Sequence, residues 1–289
     1  MADWQPVEVS PFGSGTAIAE RAARHSASSR PRPLLVAVGM LLVLAVTVAT
    51  GQVVARVTAG LWSPGMPRLP ADAAAEPLAV PEAAPAGQGG YRFLHVEDDG
   101  SGLPVRWDPC RPIHYVVRDV GAPPGGDAAL QSALAEVEEV TGLRFVSDGV
   151  TGEVPRPDRP AMDPARYGQR WSPVLIAWTD PAEYPGMSGY AGLGGGDPVR
   201  GSPRGSLRYV TGMVLLNRDY LGQAARWQGG AQWVRGVILH ELGHLVGLDH
   251  VDDPRELMYP RPTVQGDDFA DGDRRGLAAL SRGPCFRDF

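Results

Sequence analysis

The longest uninterrupted apolar run of the chain lies near its beginning. Residues 34–55 carry no charge, and about 20 such residues cross a bilayer as a helix. Arginines are denser before this run than after it, which favours a cytoplasmic N-terminus. The pattern predicts a disordered cytoplasmic segment over 1–33, a transmembrane helix over 34–55 and export of everything that follows.

A cleaved signal peptide is the alternative for this run. The run is longer than the roughly 7–15 apolar residues of a usual signal peptide, and the leader before it is long as well. A weak cleavage site is present at Thr47-Val48-Ala49. The protein would be a single-pass protein of the cell membrane in the first case and secreted in the second. Both interpretations place residues 91–289 outside the cytoplasm.

Residues 56–90 are rich in Pro and Ala and show no hydrophobic period. Such a composition predicts a semi-extended linker rather than a folded unit. Periodic patterns return only beyond this segment, so we expect one folded domain over residues 91–289.

Helical and strand periods alternate within that domain. Apolar residues three and four positions apart predict a helix over 127–140, with Asp127 as N-cap and Gly142 as the stop, and another over 232–246. Short apolar, β-branched runs predict strands at 113–118, 143–147, 174–179 and 209–217. This alternation is typical of an α/β fold with a mixed, mainly parallel sheet.

A glycine-rich tract occupies residues 186–208 and includes Gly194, Gly195 and Gly196 in succession. It lacks the GxGxxG spacing that precedes a phosphate-binding helix. We therefore expect a flexible surface loop next to an edge strand.

Charge and cysteine content narrow the classes of partner. A net charge of −6 and a pI near 5.5 argue against nucleic acid, because phosphate binding needs a dense basic surface. Cys110 and Cys285 are the only cysteines. An even count on the exported side predicts a disulfide that closes nearly the whole domain. The alternative is that Cys110 is an inhibitory thiolate ligand of a metal.

The clearest chemistry lies in the sequence HELGHLVGLDH. His240 and His244 are four residues apart on a predicted helix, so both rings leave the same face. Gly247 allows the chain to turn back and bring His250 round as a third ligand. Three histidines with a fourth position open are typical of a catalytic zinc site. Glu241 stands beside the first ligand, where its carboxylate can reach a metal-bound water. Three ordinary core histidines are the competing interpretation.

Together with Leu257-Met258-Tyr259-Pro260, this motif resembles the metzincin zinc peptidases and, within them, the matrixins. The resemblance implies the metzincin-like α/β (α+β) fold, a twisted mixed sheet with two long helices and the zinc site in a cleft. It also implies that Met258 forms a floor beneath the metal and that a C-terminal helix begins near Asp273.

The same resemblance implies a zinc-dependent endopeptidase. One catalytic zinc would be held by His240, His244 and His250, with Glu241 as general base. The substrate would be an extended protein or peptide that pairs with an edge strand, for which Ser188 to Gly194 is the candidate. Residues 260–264 would form a wall of the specificity pocket.

Departures from the matrixin pattern limit these expectations. Val251 follows the third histidine where matrixins usually have Ser or Thr, and no histidine lies in the glycine-rich tract, so we do not expect a second zinc. Calcium is not supported by any motif, and no cysteine-switch motif precedes the domain. A different class of function also stays open, namely a non-catalytic, zinc-stabilised binding or scaffold module outside the cytoplasm.

Overall fold

The structure, a computed structural model, describes residues 66–67, 69–87, 90–201, 205–261 and 267–286. The predicted segments 1–33 and 34–55 lie outside these residues. Within the described ranges, no helix combines the length and the apolar character that a membrane span requires.

The described residues form seven strands and five helices. In chain order they are β1 (Arg92–Phe93), β2 (Ile113–Arg118), α1 (Gly126–Thr141), β3 (Phe145–Val150), α2 (Pro164–Tyr167), β4 (Val174–Thr179), β5 (Gly192–Arg200), β6 (Leu207–Asn217), α3 (Arg218–Ala224), α4 (Gly230–Val246), β7 (Leu248–Asp249) and α5 (Asp271–Leu280). A single 3-10 turn, Pro185–Met187, precedes β5.

The main sheet has five strands in the order β3-β2-β4-β6-β5. The pairs β2–β3, β2–β4 and β4–β6 are parallel, and β5 runs antiparallel to β6 at one edge. β1 and β7 form a separate antiparallel pair. The expected mixed, mainly parallel sheet with two long helices and a C-terminal helix is confirmed.

The core lies between this sheet and the two long helices. Every residue of β4 is buried, which is why its sequence VLIAWT is continuously apolar apart from its last residue. Alternate residues such as Ile176 and Trp178 face the cluster that α1 and α4 complete, whereas Leu175 and Ala177 face a smaller cluster on the other side. The helices therefore cover one face of the sheet and bring α4 close to β5.

The predicted boundaries need correction at α1 and at two strands: β3 runs on to Val150, and β6 begins at Leu207 rather than Tyr209. Gly125, with φ 81°, is the N-cap of α1, and Asp127 lies in the first turn, where a negative charge also favours the helix. Gly142, with φ 70°, ends the helix as predicted. β3 begins at Phe145 rather than 143, because the Leu143 N–H donates to the Thr141 hydroxyl at the helix end instead of to the sheet.

The prediction of a flexible loop in the glycine-rich tract is wrong for its central part, Gly192–Arg200. Gly192–Arg200 is the antiparallel edge strand β5 itself, paired with β6 over its whole length. Glycine is a poor strand former, and here it is favoured because its lack of a side chain lets β5 approach α4.

Residues 69–87, called the strap below, belong to the predicted linker and form no helix or strand. They nevertheless lie on the domain, since Pro67–Phe289 clusters as one compact unit. Strap N–H groups donate to domain carbonyl groups at three places: Ala74 to Cys110, Leu78 to Pro109 and Glu82 to Val140. The strap is therefore attached to the domain that the sequence predicts over residues 91–289.

The predicted disulfide is confirmed. Cys110 and Cys285 are bonded at 2.02 Å with their Cα atoms 5.5 Å apart, across a sequence separation of 175 residues. A disulfide-bonded sulfur is not a thiolate, so the alternative role of Cys110 as an inhibitory metal ligand does not hold in this state.

Candidate metal centre

Helix α4 places the first two histidines of the motif in the interior. Both His240 and His244 are almost fully buried on the last turns of the helix. Gly247 ends the helix with φ 120°, a conformation that residues with a side chain rarely adopt. The chain then turns through β7 and brings His250 back towards the helix.

The three rings meet at their Nε2 atoms. His250 Nε2 lies 3.1 Å from His240 Nε2 and 3.1 Å from His244 Nε2. Four-coordinate zinc with bonds of about 2.0–2.1 Å needs ligand nitrogens roughly 3.3 Å apart. The observed spacing is within a few tenths of an ångström of that value, so the three nitrogens fit one zinc ion.

Backbone carbonyl groups fix the tautomers of the two helical ligands. His240 Nδ1 is 2.7 Å from the Leu257 carbonyl and His244 Nδ1 is 2.8 Å from the Leu248 carbonyl. A carbonyl only accepts, so both Nδ1 atoms carry the proton and donate it. Each Nε2 is left with its lone pair directed at the meeting point, which is the arrangement that a metal ligand requires.

The environment keeps these rings neutral, which is the form that binds metal. Burial, and then the nearby His250, lower the pKa of His240 to about 4. Burial also lowers the pKa of His244 well below its usual value and lowers that of His250. The donor set and its protonation state are therefore both suited to zinc.

Glu241 lies beside this cluster and is buried between α4 and β5. Burial raises the pKa of its carboxyl to about 8. A nearby divalent cation acts in the opposite direction, because it favours the charged form. A buried carboxyl of this kind next to a metal site has the properties of a proton acceptor.

Met258 and its turn lie beneath the helix, as expected from the motif. Met258 is buried, and its sulfur packs against Gly243, between the two helical ligands. The Val251 N–H donates to the Met258 carbonyl at 3.1 Å and closes the turn. The turn also supplies the Leu257 carbonyl that orients His240.

Sequence reasoning missed the buried carboxylate that holds this turn. Asp273 is completely buried and accepts the N–H groups of Leu257 (2.6 Å), Met258 (3.3 Å) and Ala270 (3.1 Å). Burial raises its pKa to about 7, although the backbone hydrogen bonds act against this shift. An acidic residue at the third position of a helix is a capping signal and could have identified Asp273.

The segment expected to form an edge strand for the substrate overlaps an edge strand only in part. β5 begins at Gly192, so only the last part of the predicted segment Ser188 to Gly194 belongs to it. Of the predicted pocket wall 260–264, residues 262–264 lie outside the described part of the chain.

The pair β1–β7 is a second feature that the sequence did not reveal. Arg92 and Phe93 pair with Asp249 and Leu248, immediately before the third ligand. The Leu248 carbonyl in this pair is the one that orients His244. β1 therefore supports the turn that carries His250.

Comparisons with known proteins agree with this site. The Matrixin family model (Peptidase_M10) matches residues 218–280, which include the three histidines, Glu241 and Met258. No curated protein sequence matches the chain.

Two solved structures are similar at low identity. One is a zinc-dependent peptidase from Methanocorpusculum labreanum, with 16% identity over 57% of this chain and 98% of that one, and a TM-score of 0.31. The other is metalloproteinase-II from Bacteroides fragilis, with 17% identity over 56% of this chain and 52% of that one, and a TM-score of 0.29. The family match and the geometry of the three histidines together support a matrixin-like, zinc-dependent peptidase.

Proposed function

We propose that the protein is a zinc-dependent endopeptidase that cleaves proteins outside the cytoplasm. The observation that carries this proposal is the convergence of three Nε2 atoms on one point, with the buried carboxyl of Glu241 next to the first ligand on helix α4. A purely structural zinc site closes with a fourth protein ligand, whereas three ligands leave a position for reaction.

His240, His244 and His250 hold the zinc through Nε2. When bound, zinc supplies a Lewis acid that polarises a peptide carbonyl and acidifies water. Glu241 accepts a proton from the attacking water and passes it to the leaving amine. Its burial supports this role, because a carboxylate removed from water accepts a proton more readily than an exposed one.

The edge strand β5 supports action within a chain rather than at its end. Among the described strands, β5 ends the main sheet with β6 on one side only, and it lies directly over Glu241. An extended peptide can pair with such an edge by adding a strand. A substrate bound in this way continues on both sides of the scissile bond, as endopeptidase cleavage requires.

The proposed location rests on two independent features. The Cys110–Cys285 disulfide is typical of proteins in an oxidising compartment. The apolar run 34–55 would anchor the chain in the cell membrane with its N-terminus in the cytoplasm, or would direct secretion if it is cleaved.

The test is a peptidase assay on the full-length protein, with fluorescein-labelled casein and internally quenched peptides as substrates. We expect about one zinc per chain, activity that a chelator removes and added zinc restores, and products cut at internal bonds by mass spectrometry. Glu241→Ala should keep zinc and lose activity by about 100-fold or more. A Glu241→Ala protein that holds zinc and cleaves casein at the wild-type rate would contradict the mechanism.

The same assay separates the enzyme from the scaffold alternative. A zinc-stabilised binding module would bind about one zinc and unfold at lower temperature without it, but would cleave no peptide in either state.

A further inference from the structure

The glycines of β5 alternate in what they face. A Cβ atom added at Gly192, Gly194 or Gly196 would collide with a neighbour, whereas one added at Gly195 would meet nothing within 4 Å. Successive residues of a strand point to opposite faces, so the colliding positions share the face that meets α4. The glycines on this face let β5 lie directly on the helix that carries the metal ligands.

Gly192 and Gly194 both meet Glu241, but they meet different parts of it. An added Cβ at Gly192 would lie 2.6 Å from Cγ, 2.7 Å from Oε1 and 2.8 Å from Cδ of Glu241. An added Cβ at Gly194 would collide with the backbone carbonyl of Glu241 instead. A side chain at position 192 would therefore displace the Glu241 carboxyl group, whereas one at position 194 would push β5 away from α4.

Packing is what places this carboxyl. Within the described part of the chain, no hydrogen-bond donor contacts the Glu241 carboxylate, and the backbone of β5 closes one side of the space around it. A methyl group at position 192 would claim the volume that Cγ, Cδ and Oε1 now occupy, because atoms of real side chains do not approach within 3.0 Å of a Cβ. The carboxyl would have to move to another rotamer.

We propose that Gly192 is a positioning residue, whose missing side chain defines where the Glu241 carboxylate lies. This inference rests on the proposed function, in which Glu241 is the proton acceptor. Gly192 acts through Glu241 and does not itself touch the reacting atoms.

The kinetic test compares Gly192→Ala with Gly195→Ala in the full-length protein. Both positions lie in the same strand and neither has a positive φ, so alanine is compatible with the backbone at each. We expect Gly192→Ala to lower kcat for casein-derived quenched peptides by about 100-fold, since a displacement of about 1 Å has effects of that size. KM, zinc content and the visible spectrum of the Co²⁺-substituted protein should stay as in wild type, and Gly195→Ala should lower kcat far less than Gly192→Ala, because its added methyl group meets nothing within 4 Å.

A double-mutant cycle tests the contact without using activity. Gly192→Ala should lower the thermal unfolding midpoint in the wild-type background. In the Glu241→Ala background the colliding atoms are gone, so the same substitution should leave the midpoint unchanged. These unfolding measurements remain decisive even if Gly192→Ala is too unstable for kinetic measurements.

Three outcomes would overturn the proposal. The first is a Gly192→Ala protein whose kcat stays within about twofold of wild type. The second is an equal loss of midpoint in both backgrounds, which would place the strain elsewhere. The third is an equal loss of kcat in Gly192→Ala and Gly195→Ala, which would indicate a general effect of filling the strand. Wild-type protein without peptidase activity would instead remove the proposed function, while the unfolding cycle would still decide the contact between Gly192 and Glu241.

Discussion

The metal end of the molecule, that is, the three histidines and the turn around Met258, and the strap are held in different ways. At the metal end, His244 is oriented by a carbonyl four residues away and His240 by one seventeen residues away, and every one of these groups is buried. The strap is held by partners far along the chain, such as Glu82 with Arg274, 192 residues away. Many of its polar contacts are exposed or half-buried.

Because of this difference, we expect the two regions to respond to different perturbations. The metal end depends on buried hydrogen bonds and on zinc, whereas the strap depends on backbone hydrogen bonds, two of them to the segment that the Cys110–Cys285 disulfide anchors, and on charged side chains. A substitution in one region should therefore leave unchanged the properties that depend on the other region.

Removing one zinc ligand should produce the largest difference in response between the two regions. We expect His250→Ala to weaken zinc binding by more than about 100-fold and to abolish peptidase activity, because only two of the three zinc-binding nitrogens remain. The disulfide should form as in wild type, as measured by titration of free thiols. His95→Ala is the matched control, since His95 contacts Tyr209 rather than the metal cluster and should keep its zinc. Loss of the disulfide in His250→Ala would show that the regions are coupled.

Removing the disulfide should have the opposite result: the protein should lose stability and keep its zinc. The paired change Cys110→Ser with Cys285→Ser opens a loop of 175 residues. On the chain-entropy model this lowers the free energy of unfolding by up to about 5 kcal/mol. Zinc content and KM should not change at temperatures where the protein is folded. Denaturant unfolding measures the loss, and a zinc-free but folded variant would contradict the comparison.

Asp273→Asn should weaken the metal end by a smaller amount. An amide offers one acceptor oxygen where the carboxylate offers two, so a buried N–H of Leu257 or Met258 loses its partner. We expect a loss of about 1–3 kcal/mol in unfolding free energy and faster release of zinc to a chelator. Asp271→Asn, an exposed acidic residue at the start of the same helix, should change neither quantity. Equal effects of the two substitutions would indicate helix charge rather than support of the turn.

The smallest expected effect is the pH dependence of the strap. His114 bonds to Asp148 at 2.8 Å and to strap residue Asp72 at 2.7 Å, and Arg170 also contacts Asp148. Burial alone would lower the pKa of His114, but the hydrogen bonds to the two carboxylates outweigh it and raise the pKa. A raised pKa means that the stabilisation is complete below the unfolded value and is lost as pH rises through the folded one.

We therefore expect the wild-type unfolding midpoint to fall, relative to that of His114→Gln, as pH rises from about 6 to about 9. Asp72→Asn should remove part of this difference, because it removes the strap partner. A gap between wild type and His114→Gln that does not change with pH would contradict the assignment.

The metal end was predictable because its information is local. Helix spacing fixes His240 and His244 on one face, and Gly247 permits the return to His250, so a short sequence implies the cluster. The parallel strands were also predictable, since β2 and β4 are buried and read as apolar runs.

Other parts could not be predicted for physical reasons. In β5, packing against α4 overrides the low strand propensity of glycine, and that packing is not visible in the sequence of the strand. β1 is too short to show any period, and its partner lies far along the chain. The strap is held largely by backbone N–H groups, which every linker also has, so its composition does not distinguish it from a free one.

The order of contacts along the strap also has a mechanical meaning. A tension applied to the chain from the side of residue 66 would load Asp72 first, then the hydrogen bonds of Ala74 and Leu78, and then Glu82. Only after these had detached in sequence would the force reach β1, which supports the turn of the third ligand. The contacts of the strap would therefore break one after another before a pulling force could distort the metal site.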